Sequence, residues 1–204
     1  MVETTVSRRA ALNEIYQTGD FGDITNNSPG VIFVERRALN IIHVAAWEEQ
    51  VDTATAAIEQ AIGVKPSRTA CKVMSTDVTS ALWIGPDRWL IVEKESRDLE
   101  AVIRKTMNTE MAAITDQSHS RCVISLSGVE ASNVLRKGTT LDLDAAHFKT
   151  GEARTTSLFH MNAIIHCVEE NHFDIYVARS FGQSFFEVIT HASAEFGYRI
   201  DSPI

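Results

Sequence analysis

The sequence has few of the cysteines that stabilise small secreted proteins. Only Cys71, Cys122 and Cys167 occur, and no two of them are closer than 45 positions. An odd number of widely spaced cysteines predicts neither a disulfide framework nor a CxxC metal-binding knuckle. We therefore expect a protein of a reducing compartment.

Long apolar runs and an excess of basic residues are also missing. Runs such as VISL and AII are far shorter than the roughly 20 residues that a helix needs to cross a bilayer, and the polar start MVETTVSRRAALNE has no signal-peptide core. Nineteen Lys and Arg face 27 Asp and Glu, for a net charge of −8, which disfavours binding to a phosphate backbone. The sequence predicts a soluble, cytoplasmic protein with no membrane or nucleic-acid partner.

Common fingerprints of cofactor and metal sites are absent. There is no GxGxxG or GxxxxGK[ST] motif, and the seven histidines show no HxH, HExxH or HxxxH spacing. Asp142 and Asp144 could hold an ion, but aspartates in such a loop are more often solvated. We expect this chain itself to bind no cofactor or metal.

One stretch, TDQSHSRCVISLSG (115–128), concentrates chemically active side chains. A catalytic role would need a nucleophile beside an oriented base, and the stretch lacks the glycine-framed elbow of hydrolases. In the structural alternative, Asp116 and Ser118 bond nearby backbone amides in a turn that leads into a strand. Period-2 alternation then points Cys122 into the core. We favour the structural alternative and predict no catalytic residue.

Residues 1–30 show no sustained hydrophobic period beyond a possible helical turn at 9–17. We interpret them as an N-terminal arm that is either loosely ordered or lies on another surface. The whole sequence, with 204 residues of which 44% are hydrophobic, is sufficient for a substantial core.

Two similar halves follow the arm. The first has a strand at 39–47, a helix that ends at Gly63, a hairpin at 81–93 and a helix capped by Ser96. The second has a strand at RCVISLS, a helix, three strands and a final helix, with the helices opened by the capping boxes Ser127/Glu130 and Ser180/Gln183. The inner face of the final helix is predicted to comprise Phe181, Phe185, Val188, Ile189, Ala192 and Phe196.

The spacing of the two halves indicates an internal duplication. Trp89 precedes Ser96 by seven residues and Phe173 precedes Ser180 by seven, an offset of 84. Two β-α-β-β-α units predict an α+β fold of duplicated, ferredoxin-like halves with antiparallel sheets. The predicted division is an arm at 1–30, a first half at 31–112 and a second half at 113–204, together forming one compact domain.

Tryptophan and arginine gather at the hairpin turn and at the matching strand-to-helix junction of the second half. These residue types are frequent interface anchors, although both tryptophans could instead pack beneath their own helices. We predict a protein interface that involves Tyr16, Phe21, Trp83, Arg88, Trp89 and Arg179.

The residues also carry a family resemblance. The runs DQSHSRCVISLSGVEASNVLRKGTTLDLDAAHF, TTSLFH and FDIYVARSFGQSFFEVITHASAEFG resemble the γ subunits of heterotetrameric sarcosine oxidases, and ALWIGPDRWLIV is similar to the first half of that family. The likeness extends from about residue 8 to 198, and its most specific parts are D-x-S-x-x-R…LSG…A…VL and ARSF. A wider likeness to the aminomethyltransferase and folate-binding superfamily fits the duplicated fold.

The resemblance implies a non-catalytic subunit that supports assembly. In that family a β subunit carries FAD and FMN, an α subunit carries NAD and a tetrahydrofolate site, and a small δ subunit binds zinc. The complex oxidises sarcosine to glycine and releases hydrogen peroxide together with formaldehyde or 5,10-methylenetetrahydrofolate. The resemblance therefore implies α, β and δ subunits as partners and places the cofactors in those chains.

Two other functions stay open at this point. The chain could be a stand-alone folate-binding one-carbon transfer protein, although the few residues after 198 are not enough for the usual extra domain, and RKGTTLDL departs from the KGCYxGQE signature. It could also be a ligand-sensing regulatory module. Folate binding by the isolated chain would favour the first, and a ligand-induced dimer the second.

Overall fold

Two β-sheets stack face to face, and helices cover the outer face of each. The computed structural model describes residues 9–24, 28–94 and 96–204. One hydrophobic cluster lies under the helices of each sheet, and a third fills the space between the sheets. The result is a four-layer α/β/β/α arrangement, which confirms the predicted mixed α+β class with mainly antiparallel sheets.

The first sheet has five strands in the order β4-β5-β6-β3-β7. Helices α1 and α2 cover it, and a 3₁₀ turn at Glu48–Gln50 precedes α1. The elements are β3 (Leu39–Ala46), α1 (Val51–Ile62), β4 (Val73–Ser75), β5 (Thr79–Gly85), β6 (Arg88–Lys94), α2 (Leu99–Thr106) and β7 (Ala112–Asp116).

The second sheet has seven strands in the order β1-β12-β2-β8-β11-β10-β9. Helices α3 and α4 lie on its outer face, and 3₁₀ turns at Arg179–Phe181 and Ala194–Phe196 flank α4. The elements are β1 (Gly19–Phe21), β2 (Val31–Glu35), β8 (Arg121–Ser127), α3 (Ala131–Arg136), β9 (Glu152–Leu158), β10 (Met161–Glu169), β11 (His172–Ala178), α4 (Gly182–Ser193) and β12 (Tyr198–Ile200).

Each half has the element order β-α-β-β-β-α-β, so the duplication is more complete than the pattern predicted. The prediction lacked the short strand β4 and the closing strands β7 and β12. The predicted offset of 84 relates β6 to β11, because Trp89 lies opposite Val44 and Phe173 lies opposite Leu126 in equivalent pairings. The period-2 pattern and the hairpin spacing were sufficient to find this repeat.

The N-terminal strands change the boundary between the halves. Strand β2 lies between β8 and β12, antiparallel to the first and parallel to the second. Residues 31–35 therefore belong to the second sheet, whereas β7, at 112–116, completes the first sheet by pairing with β3. The chain thus passes from the second sheet to the first at about residues 36–38 and returns to the second sheet at about residues 117–120. The halves therefore do not begin at residues 31 and 113.

The described part of the arm packs against the second half of the same chain. Leu12 is fully buried in the second-sheet core, and its amide donates to Glu35 Oε1 over 3.1 Å. The Tyr16 hydroxyl donates to the Asp201 carbonyl over 2.7 Å and accepts from the Glu35 amide over 2.9 Å. The surface on which the arm lies is therefore provided by this chain itself. Residues 1–8 and 25–27 of the predicted arm lie outside the described residues.

The predicted helix caps need correction. Helix α2 is capped by Asp98, whose Oδ1 accepts from the Ala101 amide over 2.9 Å, and not by Ser96. Neither Ser127/Glu130 nor Ser180/Gln183 forms a side-chain cap, because α3 begins after Glu130 and a 3₁₀ turn at 179–181 precedes α4. That turn also leaves Phe181 52% exposed. The face that α4 buries includes Phe185, Phe186 and Ile189.

Candidate functional site

The turn between β7 and β8 is a structural clamp. Asp116 Oδ1 accepts from the Ser118 amide over 2.8 Å, as the sequence predicted for this polar turn. Ser118 Oγ in turn accepts from the Ile41 amide over 2.9 Å, and the Gln117 amide donates to the Ile41 carbonyl over 2.7 Å. The polar side chains that suggested catalysis therefore hold the start of the second half against β3.

Cys122 is the nearest potential nucleophile to this turn, and it is buried. It is 3% exposed, beside Ile124 and Leu126 in the second-sheet core, as the strand alternation predicted. Burial raises the pKa of its thiol to about 12. Because the thiolate is the reactive form, this side chain acts as a small hydrophobe.

A buried polar cluster lies between the sheets. Asp174 on β11 is 3% exposed, pairs with Arg36, and is the strand partner of His166. His172 on the same strand forms a 2.8 Å hydrogen bond between its Nε2 and Ser125 Oγ. The His166 ring is 7% exposed, and its Nδ1 has no hydrogen-bond partner. In the described part of the chain, no group of three or more His, Cys, Asp or Glu could hold a metal ion.

The protein should become less stable as the pH is lowered, because of His166. Burial is the main cause that lowers the pKa of this ring from 6.5 to about 4. The unfolded chain takes up the proton near pH 6.5 and the folded chain only near 4, so this contribution is complete above pH 6.5 and is lost as the pH falls toward 4. We expect His166 to account for a loss of about 2 kcal/mol in the free energy of unfolding between pH 7 and pH 5.

The variant His166→Gln isolates this contribution in urea unfolding at the two pH values. It should reduce the loss but not abolish it, since burial also lowers the pKa of His43. His119→Gln, a change at an exposed histidine, should retain the full difference. An unchanged difference in His166→Gln would contradict the assignment.

The predicted interface residues of the hairpin occupy different environments. Trp89 is fully buried beneath α1 and α2, and its Nε1 donates to the Ser67 carbonyl over 2.8 Å. Trp83 is partly buried against the same core. Both tryptophans thus pack beneath their own helices, and Trp89 has no surface to offer a partner, which corrects its assignment. Arg88 is exposed.

The other predicted interface residues lie around the second sheet. Tyr16 stacks on Phe186 with ring centroids 5.6 Å apart, and Phe21 stacks on Tyr198 at 5.3 Å. Arg179 lies at the strand-to-helix junction, where its backbone amide donates to the Ser120 carbonyl over 2.8 Å. The structure therefore does not bring the six residues together into one patch.

Sequence reasoning missed Trp47 as a surface residue. It lies just after β3 and is 49% exposed, with its Nε1 bonded to the Thr109 carbonyl over 2.9 Å. Next to it, the Ala46 amide donates to the Asp87 carbonyl of the hairpin turn. Its position at the end of an alternating strand was the available signal of its exposure. A side chain one residue beyond the paired strand is not held on the face that packs against the core.

A cationic cavity opens where β2 departs from β8. It measures about 250 Å³ and lies between the arm, the link after β2 and the start of β8. No sequence pattern predicted this cavity, because its arginines come from four separate segments. They are Arg9, Arg36, Arg37, Arg121 and Arg179.

Comparison with known proteins identifies the family. The model of the sarcosine oxidase γ-subunit family matches residues 48–195. This chain belongs to that family. The γ subunit of sarcosine oxidase from Corynebacterium sp. (strain P-1) is 30% identical over 142 residues, which cover 69% of this chain and 70% of the relative. That of Corynebacterium sp. (strain U-96) is 30% identical over 145 residues, 71% of each.

Solved structures show the same fold. A chain of the heterotetrameric sarcosine oxidase from Corynebacterium sp. U-96, in complex with pyrrole 2-carboxylate, aligns with a TM-score of 0.82 at 24% identity, over 93% of this chain and 96% of that one. The glycine cleavage system aminomethyltransferase T from Bartonella henselae aligns with a TM-score of 0.61 at 10% identity, over 86% of this chain and 48% of that one. The predicted likeness to the aminomethyltransferase fold is confirmed.

The γ-subunit family assignment agrees with the resemblance carried by the sequence runs at 81–92 and 116–197. No helix among the described residues of this family member is long and apolar enough to cross a membrane.

Proposed function

We propose that this chain is the non-catalytic γ subunit of a heterotetrameric sarcosine oxidase and that it supports the assembly of the flavin-bearing subunits. The observation that carries the proposal is the family match over residues 48–195. The fold agrees over nearly the full length of both chains in the comparison with a heterotetrameric sarcosine oxidase. The complex would demethylate sarcosine oxidatively to glycine.

The state of the candidate catalytic residues supports the non-catalytic role. Asp116 and Ser118 form the clamp on β3, and the Cys122 thiol is buried with a raised pKa. The contacts that the structure shows for these residues are therefore structural. The chemistry is therefore proposed to belong to other chains.

The partners and their cofactors form the finer part of this proposal. The chain would assemble with α, β and δ subunits in the cytoplasm, and FAD, FMN, NAD, tetrahydrofolate and zinc would be bound by those partners. The support comes from two similar proteins, a sarcosine oxidase γ subunit and a chain of a heterotetrameric sarcosine oxidase.

The proposed contact surface includes the exposed end of the first sheet. Trp47 and Arg88 flank the hydrogen bond between Ala46 and Asp87, and both side chains are exposed. A large aromatic ring beside a guanidinium is a typical pair of interface anchors. Arg179, Trp83, Tyr16 and Phe21 remain proposed contributors through their partly exposed surfaces.

Purification of the tagged chain from its native cell in mild salt tests the proposed function. We expect a yellow complex that contains a large flavin-bearing chain and oxidises sarcosine. Trp47→Ala should reduce the amount of co-purified flavin severalfold, because hot-spot aromatics carry much of the binding energy. Val129→Ala, at a residue that is 77% exposed and lies on the other half of the molecule, is the matched control.

A colourless chain that elutes alone would overturn the subunit assignment. A folate titration of that lone chain would then decide whether the aminomethyltransferase-like fold retains ligand binding. Normal flavin recovery with Trp47→Ala would remove only the contact surface from the proposal.

A further inference from the structure

The cationic cavity has more positive charge than its surroundings neutralise. Three of its five arginines have acidic partners: Arg9 pairs with Glu14, Arg36 with Asp174, and Arg37 with Glu35. Among the described residues that line the cavity, the one acidic side chain is Glu35, which is 3% exposed and already accepts hydrogen bonds from Arg37 and from the Leu12 amide. The two remaining arginines leave a local excess of positive charge in a chain whose net charge is −8.

Of the five cavity arginines, Arg121 and Arg179 have no acidic partner among the residues that the structure describes. Arg121 Nε donates to Gln117 Oε1 over 3.0 Å, and Arg179 donates one bond from its Nη2 to the Arg9 carbonyl. A guanidinium has five N–H donors, so most donors of both side chains are available. Arg121 is also half-buried, and this desolvation lowers its pKa.

The fold holds the backbones of these two residues next to each other. Arg121 begins β8 opposite Ala178, the last residue of β11, and the Arg179 amide bonds to the carbonyl of Ser120. Both arginines line the cavity without an acidic partner among the described residues, and a guanidinium pairs strongly with a carboxylate. The arrangement is typical of a site that recognises an anion.

Part of the cavity lining is apolar. Ile41, Cys122 and Val123 contribute to its lining, and all three are at most 3% exposed. Inorganic anions such as phosphate gain nothing from such walls, whereas a carboxylate with a short hydrocarbon body can use both surfaces. The volume of about 250 Å³ is just below the range of roughly 300–1,000 Å³ for drug-sized ligands, so the occupant is small.

We propose that this cavity binds an organic carboxylate, with Arg121 and Arg179 contacting the carboxylate oxygens and Ile41, Cys122 and Val123 contacting the apolar part. The carboxylate belongs either to a free small molecule or to a partner chain. This site is independent of the proposed assembly function, since its chemistry depends only on residues of this chain.

Isothermal titration of the full-length chain at constant ionic strength tests the site with hexanoate, acetate and inorganic phosphate as probes. We expect saturable binding of hexanoate, with acetate and phosphate at least about tenfold weaker because they lack the apolar part. Arg121→Gln and Arg179→Gln should each weaken hexanoate binding about tenfold or more. Arg68→Gln, at an exposed arginine outside the cavity, should bind as the wild type does.

No saturable hexanoate binding, phosphate binding equal to it, or full binding by both cavity variants would overturn the proposal. Using two variants protects the test from a folding defect in one of them, which circular dichroism would reveal. Repeating the titration on the purified complex distinguishes the two sources. Retained binding indicates a free small molecule, and binding by the isolated chain alone indicates a carboxylate of a partner; both results support the site.

Discussion

The variant Trp89→Ala is expected to lower the free energy of unfolding of the isolated chain by about 3–5 kcal/mol. The indole is fully buried beneath α1 and α2, so its removal leaves a cavity that the surrounding side chains cannot fill. The carbonyl of Ser67 also loses the donor that Trp89 Nε1 provides. Urea unfolding followed by circular dichroism measures the difference.

Trp47→Ala is the matched control for this experiment. The same side chain is removed from a site that is 49% exposed, so we expect a loss below about 1 kcal/mol. Equal losses in the two variants would mean that Trp89 does not lie in the core. The interface role that the sequence suggested for it would then have to be reconsidered.

Leu12→Ala should lower the free energy of unfolding by about 2–5 kcal/mol, although this residue lies in a stretch without a hydrophobic period. Its side chain is fully buried in the second-sheet core, and its amide bonds to the buried carboxylate of Glu35. The arm is therefore part of the folded unit and not an appendage that only assembly would order. Equilibrium unfolding in urea provides the measurement.

Val78→Ala serves as the control for Leu12, since Val78 is 68% exposed at the tip between β4 and β5. We expect a change within about 0.5 kcal/mol. An equally small change in the free energy of unfolding for Leu12→Ala would mean that the arm is loosely ordered. That is the alternative that the sequence left open.

Local patterns were sufficient to predict the duplicated core. The alternation of Cys122, Ile124 and Leu126 fixes which face of β8 is buried, and the hairpin of β5 and β6 follows from a Gly-Pro-Asp turn between two apolar runs. These signals come from residues that are close together in the chain. The two-residue period of a strand then shows which side chains lie on the same face. The same logic found the offset of 84 between Trp89 and Phe173.

Features that depend on distant contacts could not be predicted in this way. The amide of buried Leu12 bonds to Glu35 on β2, which is distant in the sequence. No hydrophobic period in the arm predicts that contact. The capping boxes failed because a turn precedes α3 and a 3₁₀ segment precedes α4. The N-cap positions lie three residues after Ser127 and one residue after Ser180, a difference that residue type alone does not specify. The cationic cavity unites arginines from four segments, so only the assembled fold reveals their proximity.

The position of β2 between β8 and β12 determines the order in which the two sheets can be completed during synthesis. All strands of the first sheet lie within residues 39–116, so that sheet can form while the rest of the chain is still being translated. The second sheet needs both β2, which precedes the first sheet in the chain, and β12, which follows α4. Until β12 has been synthesised and has left the ribosome, one edge of β2 is unpaired, and such edges promote aggregation. Early association with a chaperone or an assembly partner would protect that edge.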